Sequence, residues 1–180
     1  MELNKTKAFM EELKKDDSLD SYAVFFKHGK DKCFISSDNV NCDTYFDVAS
    51  MGKILITATL ILRAIGEGKL SVDDTLDMFF NDVPSDRKNI TVKQLLTHTS
   101  GIVRCEISRE IADKGNDAIA KYIIDNPLAY KPGEGKMYSC NAYILLGFIV
   151  EKVFKMPLDE AFYTYTKKRL ILQRAALILT

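Results

Sequence analysis

Residues 54–65, ILITATLILRAI, constrain this chain more than any other stretch. Ile54, Leu55, Ile56, Leu60, Ile61, Leu62 and Ile65 spread around nearly every face of a 3.6-residue helix. A helix that is apolar all round is expected to run through an interior, covered on every side. Gly66 and Gly68 end it. Arg63 interrupts the apolar run well short of the roughly 20 residues a membrane span needs. The rest of the chain must therefore supply a core that can enclose this helix. Hydrophobic residues make up 47% of the 180, near the globular average, so such a core can form. The 25 Lys and Arg balance the 25 Asp and Glu, and a zero formal charge argues against a nucleic-acid partner.

The N-terminus reads MELNKTKAFMEELKKDD. A secretory leader needs an apolar stretch of about 7–15 residues, and this segment is instead a charged amphipathic helix over 4–17. With no membrane span either, a cytoplasmic location is expected. Cys33, Cys42, Cys105 and Cys140 form no CxxC pair and no zinc spacing, so packed, reduced thiols are expected. No His, Asp or Glu cluster suggests a metal, and no motif calls for a cofactor.

Residues 21–27 and 32–36 carry aromatic and β-branched content around the turn His28-Gly29-Lys30-Asp31, which reads as a β-hairpin. Residues 44–48 are a further short extended piece. Residues 71–80 are a loop leading to a short amphipathic piece, and 81–89 are a polar loop. Thr91 and Gln94 have capping-box spacing, so a short helix should run to about Thr97 with Gly101 past its end. Residues 108–124 read as one or two helices with Gly115 as the break. Residues 131–135 form a tight loop in which Lys131 and Glu134 are solvated charges. Residues 141–154 form an apolar helix, with Tyr143, Leu145, Leu146 and Ile149 in the core. Pro157 opens a last helix to about Leu170. The order is helix, strands, then a long helical stretch, which is an α+β arrangement.

Ser50-Met51-Gly52-Lys53 is an S-x-x-K element at the head of the apolar helix. Three residues along a helix return side chains to one face, about 5–6 Å apart. The Lys53 amine can thus reach the Ser50 hydroxyl, which is a weak nucleophile until a base takes its proton. Burial against residues 54–62 would lower the lysine pKa and make it that base. A second match, Ser85-Asp86-Arg87-Lys88, lies in the polar loop with no apolar wall, and is read as solvated.

The segment Phe46-Asp47-Val48-Ala49-Ser50-Met51-Gly52-Lys53 resembles the nucleophile segment of the serine β-lactamase and penicillin-binding-protein superfamily, in its class C and esterase-like branch. ITVKQLLTHTSGI, residues 90–102, is similar to that branch's I-T-x-x-x-L-L-T-H-T-S-G stretch. Pro132-Gly133 followed by Tyr138-Ser139-Cys140-Asn141-Ala142-Tyr143-Ile144-Leu145-Leu146-Gly147 resembles its P-G…Y-S-N-x-x-Y-x-L-L-G stretch. The resemblance covers roughly residues 20–170. It implies that Ser50 is acylated, that Lys53 assists its deprotonation, and that Tyr138 is the tyrosine of the Y-x-N motif. It also implies that the Ser50 N–H is half of an oxyanion hole. Where the family has Asn, this chain has Cys140, with Asn141 one place later; both are candidate substrate contacts. The exchange favours an esterase-like or peptidase-like activity over an efficient β-lactamase. His98 is read as a structural histidine at a helix end.

The family's third motif, Lys/His-Thr/Ser-Gly on a strand, does not occur after Tyr138. His98-Thr99-Ser100-Gly101 precedes it and belongs to the helical stretch. The implied fold is β-lactamase/transpeptidase-like, with the helical lobe complete and the antiparallel-sheet lobe only partly present. Its expected divisions are 1–48 for the helix and strands of the incomplete lobe, 49–170 for the helical lobe, and 171–180 for a divergent tail. The expected function is a serine hydrolase that forms an acyl-enzyme on a small-molecule or peptide ester or amide. The alternative is a truncated, weak or inactive remnant or binding module. An unfinished sheet edge would favour a homodimer.

Overall fold

A computed structural model describes residues 3–41 and 43–167. They divide after Val48 into two compact units.

The first unit opens with helix α1, Asn4–Lys15, followed by strands β1, Ala23–His28, and β2, Asp31–Ser36. The strands pair antiparallel with Phe25 opposite Phe34 and His28 opposite Asp31. Gly29 takes the first turn position at φ 59°, which a residue without Cβ adopts freely. The hairpin is as expected, but residues 44–48 join no strand. Tyr22, Ser37 and Val40 are buried in this unit, and the Tyr22 hydroxyl donates to the Glu11 carboxylate at 2.5 Å. Phe25 and Phe34 are exposed.

The second unit is helical. A π-helical turn, Lys53–Ala58, runs into α2, Thr59–Gly66. Then come α3, Val92–Leu96; α4, Arg109–Ala112; α5, Asn116–Asp125; α6, Cys140–Phe154; and α7, Leu158–Phe162. Helix α6 is the centre of the core: Ala142, Leu145, Leu146, Ile149 and Val150 are all fully buried. Leu60, Ile61 and Ala64 of α2, Val92 and Leu95 of α3, and Ala120, Ile123 and Ile124 of α5 belong to the same core cluster.

The helix opened by Ser50 is not enclosed as its sequence suggests. Ile56, Leu60, Ile61 and Ala64 are buried, but Ile54 is 67% exposed, Leu62 61% and Leu55 47%. One side faces the core and the other carries an apolar stripe in solvent. Apolar periodicity records which faces are apolar, not what lies against them.

The ends of α2 and α3 follow one rule. At the end of α2, the Lys69 N–H reaches the Ala64 carbonyl and the Gly68 N–H reaches Ile65, both at 2.9 Å, with Gly68 at φ 69°. At the end of α3, the Thr99 N–H reaches Gln94 at 2.9 Å and the His98 N–H reaches Leu95 at 3.3 Å, with His98 at φ 61°. Both are Schellman closures, which satisfy the last carbonyls by turning one residue left-handed. The start of α3 is the expected capping box: Thr91 Oγ1 accepts from the Gln94 N–H at 3.2 Å, and Gln94 Oε1 from the Thr91 N–H at 3.0 Å.

The Ser85-Asp86-Arg87-Lys88 stretch departs from its solvated reading at one residue. Ser85 and Lys88 are exposed, but Arg87 is buried. Its Nη1 donates to the Ile124 and Asn126 carbonyls, so it caps the C-terminal end of α5. The divergent tail expected at 171–180 and the end of the last expected helix lie outside the described residues. Among the described residues, no helix is long and apolar enough to cross a membrane.

Candidate active site

Ala49 adopts φ 43°, unusual for a residue with a side chain, and the helical turn begins directly after it. The Gly52 N–H closes on the Ala49 carbonyl at 3.0 Å and the Lys53 N–H on Ser50 at 3.2 Å. Ser50 thus sits on the first turn, where N–H groups have no intrahelical acceptor. One turn on, the Lys53 Nζ donates to Ser50 Oγ at 3.3 Å.

Tyr138 comes from the segment leading into α6. That helix is capped by Ser139, whose Oγ accepts the Ala142 N–H at 3.1 Å. The Tyr138 hydroxyl lies 2.8 Å from Ser50 Oγ, and the Lys53 Nζ is 5.3 Å from the Tyr138 ring centroid. The structure therefore brings together Ser50, Lys53 and Tyr138, as the sequence suggests.

The charge state of Lys53 differs from the expectation. Burial pulls the ammonium down, but this is outweighed. A hydrogen bond to Tyr138, electrostatic interaction with Cys140 and Tyr138, and a hydrogen bond to Cys140 lift it above the ordinary lysine value. Lys53 is only partly covered, because Ile54 and Leu55 turn to solvent. A lysine held cationic cannot take a proton; it can stabilise negative charge on the oxygens beside it.

The two candidate substrate contacts separate. Cys140, the first residue of α6, is half-buried and hydrogen-bonds with Lys53. Asn141 is 2% exposed, and its Nδ2 donates to the Cys105 carbonyl at 3.2 Å and to Cys105 Sγ at 2.7 Å. One residue along a helix is a rotation of about 100°, so the Asn141 amide serves the core and leaves the neighbouring position to Cys140. Burial raises the Cys105 thiol above its ordinary value, partly offset by the Asn141 hydrogen bond.

His98 is closer to this constellation than a helix-end histidine needs to be. Its ring centroid is 4.7 Å from that of Tyr138 and 5.1 Å from that of Tyr143. Its Nδ1 accepts the Ser139 N–H at 3.2 Å. The signal in the sequence was its place in the L-L-T-H-T-S-G stretch, whose contact partner is some 40 residues downstream. Among the described residues, no group of three or more His, Cys, Asp or Glu is placed to hold a metal.

The site is thus a serine at the head of a helix packed on a helical core, with a lysine one turn on and a tyrosine oxygen against it. Comparison with known proteins makes the family specific. The β-lactamase family model matches residues 20–178, and the chain belongs to that family. A putative D-alanyl-D-alanine carboxypeptidase of Salmonella typhimurium is 29% identical over 131 residues, covering 66% of this chain and 30% of that protein. The chain thus spans about a third of the length of the curated relatives it matches. A putative β-lactamase from Bacteroides dorei superposes with a TM-score of 0.82 at 19% identity, over 94% of this chain and 51% of that one. An octameric penicillin-binding protein homologue from Pyrococcus abyssi gives a TM-score of 0.80 at 22% identity, over 99% and 45%. The β-lactamase/transpeptidase-like fold is therefore established, with a two-stranded sheet and a helical unit covering about half of these neighbours.

Proposed function

We propose that the chain carries the acylation half-site of a serine hydrolase acting on an ester or amide carbonyl, with Ser50 as nucleophile and Tyr138 as the base. The observation that carries this reading is the 2.8 Å contact between Ser50 Oγ and the Tyr138 oxygen beside a cationic Lys53. In the first step, Ser50 Oγ–H passes its proton to the Tyr138 phenolate oxygen as Oγ bonds to the carbonyl carbon. The carbonyl electron pair moves onto oxygen, facing the Ser50 backbone N–H. Collapse breaks the bond to the leaving group, which takes the former Ser50 proton from Tyr138. Water then repeats the sequence on the acyl-enzyme. Lys53 holds its proton throughout and steadies the charge on Ser50 Oγ and Tyr138. With Cys140 in place of an amide, substrates that need no side-chain amide donor, esters and small peptides, fit this site best.

A second reading, a weak or inactive binding module, is favoured by exposure: Ser50 is open to solvent and Tyr138 is 51% exposed. Electrostatic stabilisation works best where water is excluded, and loss of one oxyanion donor costs about 10²–10³ in rate. Incubation with a fluorescent penicillin and with an activated ester, read by intact mass, separates the two. An adduct on the wild type that is absent from Ser50→Ala supports the hydrolase. An adduct that persists in Ser50→Ala refutes Ser50, and no adduct on either protein supports the binding module. A homodimer through the hairpin, with its exposed Phe25–Phe34 pair, remains part of the proposal; a monomeric mass in solution would rule it out.

A further inference from the structure

We propose that His98 is a positioning residue for Tyr138. Its neutral imidazole accepts the Ser139 N–H and packs on the Tyr138 ring, holding the phenol oxygen on Ser50, and protonation of Nδ1 releases that hold. This rests on the reading of Tyr138 as the base.

The first argument compares two helix ends. Helices α2 and α3 close with the same pair of hydrogen bonds, and the left-handed residue is Gly68 in one and His98 in the other. Glycine adopts that conformation without steric cost, whereas a residue with a Cβ carries strain there. The strain at His98 is small, and it asks what the side chain and carbonyl hold in return.

The second argument is where His98 grips the chain. Its carbonyl accepts the Met137 N–H at 3.0 Å and the Tyr130 hydroxyl at 3.1 Å. Its Nδ1 accepts the Ser139 N–H at 3.2 Å. One residue therefore holds both neighbours of Tyr138, while its ring lies against the Tyr138 ring at a 45° tilt. Tyr143 covers the imidazole in turn and is fixed to α3 by its hydroxyl, which donates to the Leu96 carbonyl at 3.1 Å.

The third argument is the chemistry of the acceptor. Nδ1 can accept an N–H only when unprotonated, which fixes the Nε2–H tautomer. A proton on Nδ1 would set two N–H groups against each other. The groups acting on the ring are the Lys53 and Lys136 ammoniums and the rings of Tyr138 and Tyr143. Burial, then Lys53 and Lys136, push His98 below the ordinary histidine value of 6.5. The folded state thus prefers neutral His98. The contribution is complete above pH 6.5 and is lost as the pH falls through the lower folded value.

Two variants and two readouts test this in the full chain. His98→Gly suits the left-handed backbone, so it should unfold as cooperatively as the wild type. It should acylate Ser50 with an activated ester at least about tenfold more slowly, part of the roughly 10²–10⁴ a positioned base supplies. His98→Asn tolerates the same backbone, and its Oδ1 replaces Nδ1 as acceptor without titrating. It should recover to within about threefold of wild type and lose the extra break expected on the acid side of the wild-type profile. His98→Gly acylating at the wild-type rate, or His98→Asn keeping the break, would overturn the proposal. Independently of activity, the Ser139 amide and Tyr138 ring NMR signals should move with the same midpoint as the His98 Nδ1 signal. Their staying fixed through that titration would also overturn it. A wild type that is never acylated defeats the hydrolase reading, and the NMR result then decides His98 alone.

Discussion

Alanine at Gly101 should destabilise the helical unit by about 2 kcal/mol, and three glycines make the reasoning testable step by step. Gly101 has φ 79°, and a Cβ built there overlaps the Tyr130 backbone carbonyl. Left-handed backbone costs an L-residue about 1–2 kcal/mol. The carbonyl cannot swing aside as a side-chain tip would, so the Tyr130 segment must move. That loosens the Ala129 N–H bond to the Gly101 carbonyl at 2.9 Å, worth about 1 kcal/mol net. Stiffening of the unfolded chain returns about 0.4–1 kcal/mol. Gly68 has φ 69° but nothing within 4 Å of its Cβ position, so Gly68→Ala isolates the backbone term at roughly 1 kcal/mol or less. Gly66 closes α2 in open space with no positive φ, so Gly66→Ala should stabilise by about 0.5–1 kcal/mol. Urea unfolding followed by circular dichroism gives all three from midpoint shifts at constant slope. Gly101→Ala proving no worse than Gly68→Ala would refute the close approach to Tyr130.

Tyr138→Phe keeps the ring against His98 but removes the oxygen on Ser50, so acylation should fall about 10²–10⁴-fold with the fold intact; near-normal acylation would transfer the base role elsewhere. Arg87→Lys keeps the charge but not the fork that reaches the Ile124 and Asn126 carbonyls, and should cost about 1.5–3 kcal/mol in urea unfolding. In the first unit, the hydrogen bond to Glu11, burial and the Glu11 charge push the Tyr22 hydroxyl up to about 12. The protonated phenol is the form the fold prefers, so its contribution is complete below the ordinary value of 10.0 and is lost as the pH rises through about 12. A tyrosine NMR titration should show that midpoint and its return towards 10.0 in Glu11→Gln; no change in the variant would refute the Glu11 contact.

The parts of this fold that were legible in the sequence are encoded within a few residues. The Thr91–Gln94 capping box, the Gly29 turn and the Ser50–Lys53 spacing are local hydrogen-bond and helix geometry, and each appears as read. Tyr138 was legible through the segment it belongs to, although nothing local placed its oxygen on Ser50. What could not be read depends on distant neighbours. Arg87 looked like any loop charge until α5 ended beside it. The Ile54–Leu55 face looked like core because apolar letters carry no record of their cover. Lys53 was expected to lose its charge to burial, but the balance was set by Tyr138 and Cys140, residues more than 80 positions away. Asn141 was read as a neighbour of the substrate, and its amide is spent on Cys105 in the core.

The left-handed histidine after α3 sets backbone relief against side-chain contacts at a single codon. Glycine would relieve the backbone there, but it gives up the Ser139 hydrogen bond and the contacts with Tyr138 and Tyr143. A screen for acylation would remove the same change. Any stabilised version of the chain intended for catalysis is therefore best built with His98 held constant.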